Sequence, residues 1–487
     1  MQREKKVNNM LELKYLVNGV QYSGESEYLK IEIEGLKVIL KPKTTIELIY
    51  ARMFLPLDEG KYYCNGFQSW TDSALLSKNE KVDRMRFLGK IANHVYNLKS
   101  FGDYDFVEQS RLYSHTYTYI QNDKETILYG SINEELGYTS FHFKKQMEVH
   151  KDVEGVIISE EKELFNIVRY CGTLDEVLDK YFEDLKIPKK NIRKLRGYTS
   201  WYRHYQNINE QKLLKDLNGL GTTNFKADIF QIDDGYQEYV GDWLKIDKEK
   251  FPNGLEPIIK EVKEKGMIPG IWIAPFLVEK NSAIYKEHPE WILKKGVKNW
   301  SGAYSLNFEL DEVKDYIRKV FNYYKKLGFE FFKLDFLYGV AVEPQNGKSR
   351  AKIMYDAMDF IREELKDKLI LGCGVPMAAS FGKVDYCRIG CDVSLQFDDV
   401  WFMRLCHRER ISTKNAIKNT IARAHLDGRA FGIDPDVFIL RKNVMSDAQR
   451  MQLFETNKKY GSILFCSDDM SEYGEEERKL VESLNDL

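Results

Sequence analysis

The sequence has no apolar run long enough to cross a membrane, since no stretch approaches about 18 consecutive apolar residues. Its first residues, MQREKKVNNMLELKY, carry charges with no apolar segment behind them, so no secretory signal peptide is predicted. The chain also has no large net charge, because 73 Lys and Arg nearly balance 75 Asp and Glu in 487 residues. We therefore expect a soluble, cytoplasmic protein with no nucleic-acid partner and no membrane partner.

Patterned cysteines and histidines are also absent. The seven cysteines are odd in number, scattered and never part of a CxxC array, which favours thiols in a reducing compartment. The eight histidines never occur as HxxxH or HxH, and carboxylate-rich calcium loops are missing. The Gly372-Cys373-Gly374 cluster lacks the third glycine of a dinucleotide fingerprint. We expect neither a metal nor a cofactor.

The most informative stretch that is present is Phe331–Phe336, FFKLDF. An apolar, aromatic run of this length is typical of a parallel strand buried on both faces. Side chains two positions apart on a strand share a face, so Lys333 and Asp335 should point the same way. Two readings of this pair stay open, a buried ion pair without chemistry and a functional strand end.

Seven further segments share this design, with polar residues at the C-terminal end of an apolar run. They are Gly197–Tyr202, Asp228–Gly235, Met267–Phe276, Leu369–Pro376, Val384–Asp392, Ala430–Asp436 and Ser462–Asp469. Helical periodicity fills most of the intervals, as in Leu255–Lys265, Glu312–Leu327, Ser349–Lys366 and Lys414–Leu426. Eight alternating strand and helix units predict an α/β fold, a (β/α)8 TIM barrel whose active site lies at the C-terminal strand ends.

The N-terminal third has a different pattern. Short runs alternate with period two, as in Tyr28–Glu34, Thr45–Tyr50, Arg111–Ile120 and Val156–Val168. This alternation predicts an N-terminal antiparallel β-sandwich domain. We place the sandwich at residues 1–185, with a helix at Thr173–Leu185, and the barrel at residues 186–475. Residues 476–487 are expected to form a short acidic tail, with no separate C-terminal β-domain.

Several strand ends carry groups suited to sugar chemistry. Two separated carboxylates facing one cavity are what glycoside hydrolysis needs, and Asp335 and Asp392 lie at or just past strand ends. Asp233 and Asp234 could grip neighbouring hydroxyls, although an Asp-Asp-Gly turn that caps a helix explains them equally. Arg388, four residues before Asp392, has a structural ion pair as its alternative role.

Other candidates have simple packing alternatives. Cys373, between two glycines, is explained equally well as a small buried thiol. Trp201, Tyr202, Trp243 and Trp272 lie at or after the first three strand ends, where an aromatic side chain is more often core or rim than a sugar platform.

Together the KLDF, QIDDGYQ, YTSWYRHY and CGVP…RIGCD segments resemble glycoside hydrolase family 36, the retaining α-galactosidases. The resemblance covers about Arg196 to Asp469, and Asn65–Trp70, NGFQSW, is similar to a motif of the family's N-terminal sandwich. It implies that Asp335 is the nucleophile and Asp392 the general acid/base. It also implies substrate-binding roles, which fall to Trp70, Tyr202, Asp233, Asp234, Trp272, Lys333, Cys373 and Arg388.

The resemblance implies an enzyme that releases terminal α-linked galactose from oligosaccharides, without a cofactor. Alternatives are an α-galactosyl transglycosylase, an α-N-acetylgalactosaminidase and a non-catalytic carbohydrate-binding protein. A homo-oligomer stays open. Cys391, immediately before the acid/base position, departs from the family pattern and could alter the turn that aims Asp392.

Overall fold

The computed structural model describes residues 10–80, 112–293, 302–398 and 411–487. The N-terminal part consists of short strands: β1 (Leu11–Val17), β2 (Val20–Ser23), β3 (Leu29–Glu34), β4 (Lys37–Pro42), β5 (Ile46–Leu55), β6 (Lys61–Cys64), β7 (Ala74–Ser77), β8 (Tyr113–His115), β9 (Tyr117–Gln121), β10 (Thr126–Ser131), β11 (Thr139–Phe143), β12 (Met147–Lys151), β13 (Ile157–Ile158) and β14 (Lys162–Gly172). They form two antiparallel sheets, ordered β2-β1-β5-β12-β11-β8, with β13 on β5, and β3-β4-β14-β10-β9-β6-β7. The predicted β-sandwich is confirmed.

One predicted run, Arg111–Ile120, is two strands instead of one; its first residue lies outside the described ranges. Thr116 has a left-handed φ of 68°, which breaks the run between β8 and β9. The two pieces belong to different sheets, so the chain crosses the sandwich at this residue. The sequence pattern does not reveal this crossing, because the residues on both sides of Thr116 are buried in the sandwich.

The C-terminal part is the predicted barrel. Its parallel strands are β15 (Leu195–Thr199), β16 (Ile229–Ile232), β17 (Ile268–Ile273), β20 (Phe331–Leu334), β21 (Leu369–Gly372), β22 (Tyr386–Arg388), β23 (Gly432–Asp434), β24 (Val437–Phe438) and β25 (Ile463–Cys466). Each of the eight predicted segments overlaps one strand, and β24 directly follows the seventh segment. The seventh is split: β23 pairs with β22, whereas β24 pairs with β25, and this closes the sheet on itself. A small hairpin, β18 (Leu277–Val278) and β19 (Tyr304–Ser305), lies beyond the third strand.

Most helices cover the outside of the barrel, at or close to the predicted intervals, whereas Leu174–Asp184 packs on β10 and β14 of the sandwich. The α-helices are Leu174–Asp184, Trp201–His204, Glu210–Leu220, Glu256–Glu264, Ala283–Glu287, Asp311–Leu327, Arg350–Leu365, Met377–Ser380, Thr413–Arg423, Asp447–Tyr460 and Glu475–Glu482. Short 3-10 helices are Pro289–Trp291, Leu337–Ala341, Ala424–Leu426, Met470–Glu472 and Ser483–Asp486. Within the described ranges, no helix combines the length and apolar character needed to cross a bilayer.

The last helix and turn pack against the start of the barrel. Val481 and Leu484 are buried. Asn485 bonds twice to the loop before β16, since its Oδ1 accepts from the backbone N–H of Lys226 and its Nδ2 donates to the carbonyl of Asn224. The acidic tail is therefore helical and docked on the barrel. The boundaries of the three segments stay a prediction.

A buried arginine joins the sandwich to the barrel. Arg423, at the end of the helix Thr413–Arg423, is fully buried. Its guanidinium donates to the carbonyls of Gly66, Gln68 and Ser69 in the NGFQSW loop and to that of Ile389 in the barrel. Three carbonyls of the NGFQSW loop and one of the barrel are thereby satisfied away from water, which is what buried loops require.

His425, in the same interface, predicts a pH dependence of stability. Its Nε2 lies 2.7 Å from the hydroxyl of Tyr117, and the rings of Tyr63 and Tyr119 pack around it edge-on. Burial, with Arg429 and Arg423 nearby, lowers the pKa of His425 to about 3. In the unfolded chain His425 binds a proton below pH 6.5, its ordinary pKa. In the folded chain it stays neutral until about pH 3, so protonation favours the unfolded state between these values.

We expect stability to fall as pH drops from about 6.5 toward 3, by at most about 1.4 kcal/mol per pH unit from this group. Thermal denaturation of wild type and His425→Asn between pH 7.5 and 4.5 checks this. The variant should start less stable and lose less on acidification, whereas His288→Asn, a surface control, should follow wild type. Parallel curves for wild type and His425→Asn would contradict the assignment.

Candidate active site

The C-terminal ends of the barrel strands open onto a cavity of about 320 Å³. Five of the residues predicted from the strand ends line it together: Asp233, Asp234, Lys333, Asp335 and Asp392. Trp272 lines it from the third strand, and Trp70 enters from the sandwich. The sequence prediction that these side chains share one cavity agrees with this placement, and the cavity lies where barrel active sites lie.

Asp335 follows the fourth strand and is oriented by two donors. Trp272 Nε1 donates to its Oδ2 at 2.9 Å, and the backbone N–H of Phe336 donates to its Oδ1 at 2.8 Å. The second bond depends on a left-handed backbone at Phe336, with a φ of 51°. Such a conformation is costly for a bulky side chain and occurs mainly at functional sites. Asp335 is therefore held rigidly with its carboxylate at the cavity wall.

Asp392 has a different environment. Arg388 Nη1 donates to its Oδ1 at 2.9 Å, although β22 ends at Arg388 and the intervening residues leave the strand. Its side chain is 37% exposed, so one face opens to the cavity. Desolvation within the site, with the nearby carboxylate of Asp436, raises the pKa of Asp392 to about 6. It is thus suited to hold and release a proton near neutral pH.

The pKa values of the adjacent acids Asp233 and Asp234 are shifted in opposite directions. Asp233 Oδ2 accepts from Lys333 Nζ at 2.8 Å, and this ammonium outweighs the cost of burial and lowers the pKa of Asp233. The oxygens of Asp234 accept from Gln206 Nε2 at 2.7 Å and Gln237 Nε2 at 2.6 Å, and burial raises its pKa. Asp233 is an ion-pair partner, whereas Asp234 is a carboxylate held by two amides at the cavity wall.

Trp70 reaches the cavity because the NGFQSW loop is fixed to the fifth strand. Ser69 N donates to the carbonyl of Val375 at 2.9 Å. The indole Nε1 of Trp70 donates to Cys373 Sγ at 3.2 Å, and its ring meets Phe336 edge-on, with centroids 5.2 Å apart. The predicted contribution of the first domain to this cavity therefore has a physical basis, a loop bonded to the barrel.

Three predicted residues lie behind the cavity wall. Cys373 is buried, and its Sγ accepts from the indole N–H of Trp70. Tyr202 is buried, and its hydroxyl donates to Asp436 Oδ2. Arg388 is buried and ion-paired. Cys373 and Arg388 contact the cavity-lining residues Trp70 and Asp392, and Tyr202 contacts Asp436. Direct contact of these three residues with a substrate stays a prediction.

The sequence analysis missed the partners of the charged groups. Gln206 and Gln237 hold Asp234, and Asp434 and Asp436 hold Arg388. The second pair had a signal, because both acids end the strand next to Arg388, and a buried arginine needs carboxylates. Nothing in the sequence pointed to the two glutamines, since their contact with Asp234 depends on the conformation of loops.

A larger cavity of about 1040 Å³ lies elsewhere, between the sandwich and the helix Arg350–Leu365. Charges on its wall are paired within the protein, as in Lys352 with Glu135 and Lys383 with Asp359. Size alone therefore does not identify the site. Across the described ranges, no three His, Cys, Asp or Glu side chains are grouped as metal ligands.

Comparison with known proteins agrees with this chemistry. The melibiase family model matches residues 184–361. An α-galactosidase of Escherichia coli is 28% identical over 221 residues, which are 42% of this chain and 30% of that protein. α-Galactosidase C of Emericella nidulans is 32% identical over 143 residues, 24% of this chain and 18% of its own length. The matches thus cover less than a third of either relative.

Solved structures resemble this chain over almost its whole length. An α-galactosidase from Thermus thermophilus, in complex with stachyose, has a TM-score of 0.74 at 24% identity, with 97% of this chain and 99% of that chain covered. The family 36 α-galactosidase AgaA from Geobacillus stearothermophilus has a TM-score of 0.60 at 13% identity, with 97% and 67% covered.

A barrel whose strand ends place several carboxylates around one small cavity is an arrangement typical of glycoside hydrolases. The melibiase match, the α-galactosidase relatives and the shared fold support, more narrowly, a protein similar to the α-galactosidases of glycoside hydrolase family 36.

Gly374 generates a test of the contact between the domains. Its φ is +57°, and a Cβ there would lie 3.0 Å from Trp70 ring atoms and 3.1 Å from the Phe336 Cα. Gly374→Ala should cost about 1–2 kcal/mol for the left-handed backbone and about 1–3 kcal/mol for crowding Trp70.

The matched control is Gly266→Ala, because Gly266 has a φ of +74° and nothing within 4 Å of its added Cβ. It should lose only the backbone part. Chemical denaturation of both variants measures the difference, and equal losses would mean that Trp70 is not packed on Gly374.

Proposed function

We propose that this protein is a retaining α-galactosidase that hydrolyses terminal α-linked galactose from oligosaccharides. The observation that carries the proposal is the pair Asp335 and Asp392, which line one cavity in contrasting surroundings. Asp335 is fixed by two donors, whereas desolvation and the carboxylate of Asp436 raise the pKa of Asp392 to about 6. Retaining glycosidases need this asymmetry, one carboxylate to attack and one acid to donate a proton.

In the proposed double displacement, an Asp335 oxygen attacks the anomeric carbon while Asp392 gives its proton to the leaving oxygen. The C–O bond to the leaving group breaks, and a glycosyl ester forms on Asp335. Asp392 then takes a proton from water, which attacks the anomeric carbon and releases Asp335. The two inversions restore the α configuration. No step needs a cofactor.

Galactose recognition is assigned to the second strand end. The carboxylate of Asp234 lies at the cavity wall with each oxygen already bonded to a glutamine amide. A sugar hydroxyl can donate to a remaining lone pair of either oxygen. Lys333 and Trp272 extend the same wall. We therefore propose that Asp234 binds the 4-hydroxyl or 6-hydroxyl, with Asp233 orienting Lys333.

We also propose a cytoplasmic location. The six cysteines within the described ranges form no disulfide, which supports a reducing compartment. The domain boundaries at residues 185 and 475 and a homo-oligomer remain predictions, and light scattering would test the latter.

The activity is tested with a chromogenic α-galactoside and raffinose-type substrates, followed by analysis of products at high sugar concentration. Wild type should release galactose with only minor transfer products. Asp335→Gly should lower the rate by about 10³-fold or more. Binding without turnover would favour a carbohydrate-binding protein instead.

Azide separates the two roles by stereochemistry. Asp335→Gly leaves room for azide to attack an activated α-substrate directly, so one inversion should give the β-galactosyl azide. Asp392→Gly keeps the nucleophile, so azide should intercept the glycosyl-enzyme and give the α-galactosyl azide after two inversions. Nuclear magnetic resonance of the products distinguishes the anomers. Exchanged products would mean that the two roles are reversed.

Asp234→Asn tests substrate choice. It should lose most galactosidase activity, about 10²-fold or more, together with discrimination against the gluco-epimer, because the site then no longer penalises a missing axial hydroxyl. Values of kcat/KM for matched galactosides and glucosides measure this. Asp311→Asn, on the exposed start of a barrel helix, is the control. Unchanged discrimination would remove Asp234 from recognition.

A further inference from the structure

The guanidinium of Arg388 is shared by three carboxylates. Its Nε donates to Asp434 Oδ2 at 3.1 Å, its Nη1 donates to Asp392 Oδ1 at 2.9 Å, and its Nη2 lies 2.9 Å from Asp436 Oδ1. Asp434 and Asp436 are completely buried, whereas Asp392 is partly open to the cavity. One cation cannot neutralise three neighbouring anions in a desolvated site, so one of the three is favoured to hold a proton.

Counting donors identifies which one. Asp436 accepts two on Oδ2, from the Tyr202 hydroxyl and the Val393 N–H, and its Oδ1 is in ion-pair distance of Arg388 Nη2 without a hydrogen bond. Asp434 has two, Arg388 on Oδ2 and the N–H of Asp436 on Oδ1. Asp392 has only Arg388 among the described residues. Burial raises the pKa of Asp436, but Arg388 and the bonds from the Tyr202 hydroxyl and the Val393 N–H oppose that shift. Donors stabilise the charged form of a carboxylate, so the proton belongs on Asp392, which has the fewest.

Backbone geometry supports the same arrangement. Asp436 has a left-handed φ of 74°, which is unusual for a residue other than glycine. This conformation follows Pro435 and lies between β23 and β24, where the seventh strand is interrupted. The break turns the Asp436 side chain toward Arg388 and Val393 instead of continuing the ladder. The strained residue thus serves the carboxylate cluster and not the sheet.

We propose that Asp436 is a positioning residue for Asp392. It anchors Arg388 and the backbone after Asp392, and by staying charged it keeps the shared proton on Asp392. The proposal rests on the proposed function, because it assigns Asp392 the role of proton donor. The other charged or titratable groups around Asp392, on the same and neighbouring elements, are Tyr202, Lys333, Asp335, Cys373, Arg388, Cys391 and Asp434.

Neutralising Asp436 should therefore weaken the acid. Asp436→Asn removes a neighbouring negative charge, which makes Asp392 easier to ionise and moves the basic limb of the kcat/KM profile about one pH unit toward acid. At pH 7 the protonated fraction of Asp392 then falls about tenfold. Substrates with poor leaving groups should slow by about that factor, whereas dinitrophenyl galactoside should change little, because its leaving group needs no proton.

Asp434→Asn is the matched control, since Asp434 is equally buried and bonds the same guanidinium. It should move the basic limb by less than half as much, provided that circular dichroism shows both variants folded. A shift of the expected size in Asp436→Asn alone supports the proposal. An unshifted limb, or an equal shift in Asp434→Asn, would overturn it.

A measurement that needs neither activity nor a folded Asp436 variant locates the proton directly. Protein labelled with aspartate carboxyl carbon-13 is titrated by nuclear magnetic resonance from pH 4 to 8, as wild type and as Asp392→Asn. We expect one carboxyl that titrates near pH 6 in wild type and disappears in Asp392→Asn. An assigned resonance of Asp434 or Asp436 that still titrates there would place the proton on that residue and refute the proposal, whatever the substrate turns out to be.

Discussion

Pairing of buried charge is the constraint on which this site depends. Eight ionisable groups crowd the strand ends: Asp233, Asp234, Lys333, Asp335, Arg388, Asp392, Asp434 and Asp436. Two cations cannot balance six anions, so donors must replace the missing positive charge. The fold places indole, amide and backbone N–H groups against the carboxylates that lack a cation. The carboxylate with the fewest donors is also the one most open to the cavity, where a proton can be exchanged with a substrate.

The same constraint explains why neighbours in sequence behave oppositely. Asp233 and Asp234 are adjacent at one strand end, yet the pKa of the first is lowered and that of the second raised. Lys333 lies across the sheet from Asp233, whereas the side-chain donors to Asp234 within the described residues are the neutral amides of Gln206 and Gln237. Such a split gives the cavity one carboxylate fixed in an ion pair and one carboxylate held by neutral donors. Local sequence does not determine this division; the neighbouring strands do.

Much of the fold could be predicted because it rests on periodicity. Apolar runs with polar C-terminal ends marked all eight barrel strands, and the parallel order then brought those ends to one side. The prediction failed where burial hides a change of direction, as at Thr116, where one run serves two sheets. The split of the seventh strand at Asp436 was hidden for the same reason. No pattern of apolar residues records a single left-handed backbone angle.

The site was predictable to the extent that its residues lie on strand ends. Asp335 and Lys333 required only the rule that positions two apart share a face. Arg388 and Asp392 are in contact although β22 ends at Arg388. The rule that alternate strand residues share a face therefore does not account for their contact. Gln206 belongs to a loop, and its contact with Asp234 needed the three-dimensional structure.

The joint between the two domains fixes one wall of the cavity. Displacing the NGFQSW loop would strip Arg423 of three carbonyls and leave those buried groups unsatisfied, at about 1–3 kcal/mol each. The loop also bonds to Val375 beside Gly374, and Trp70 covers that glycine. Several such contacts must break together for Trp70 to move. The sandwich is therefore a rigid part of the cavity and not a lid, so access to the carboxylates must come from the open side of the barrel.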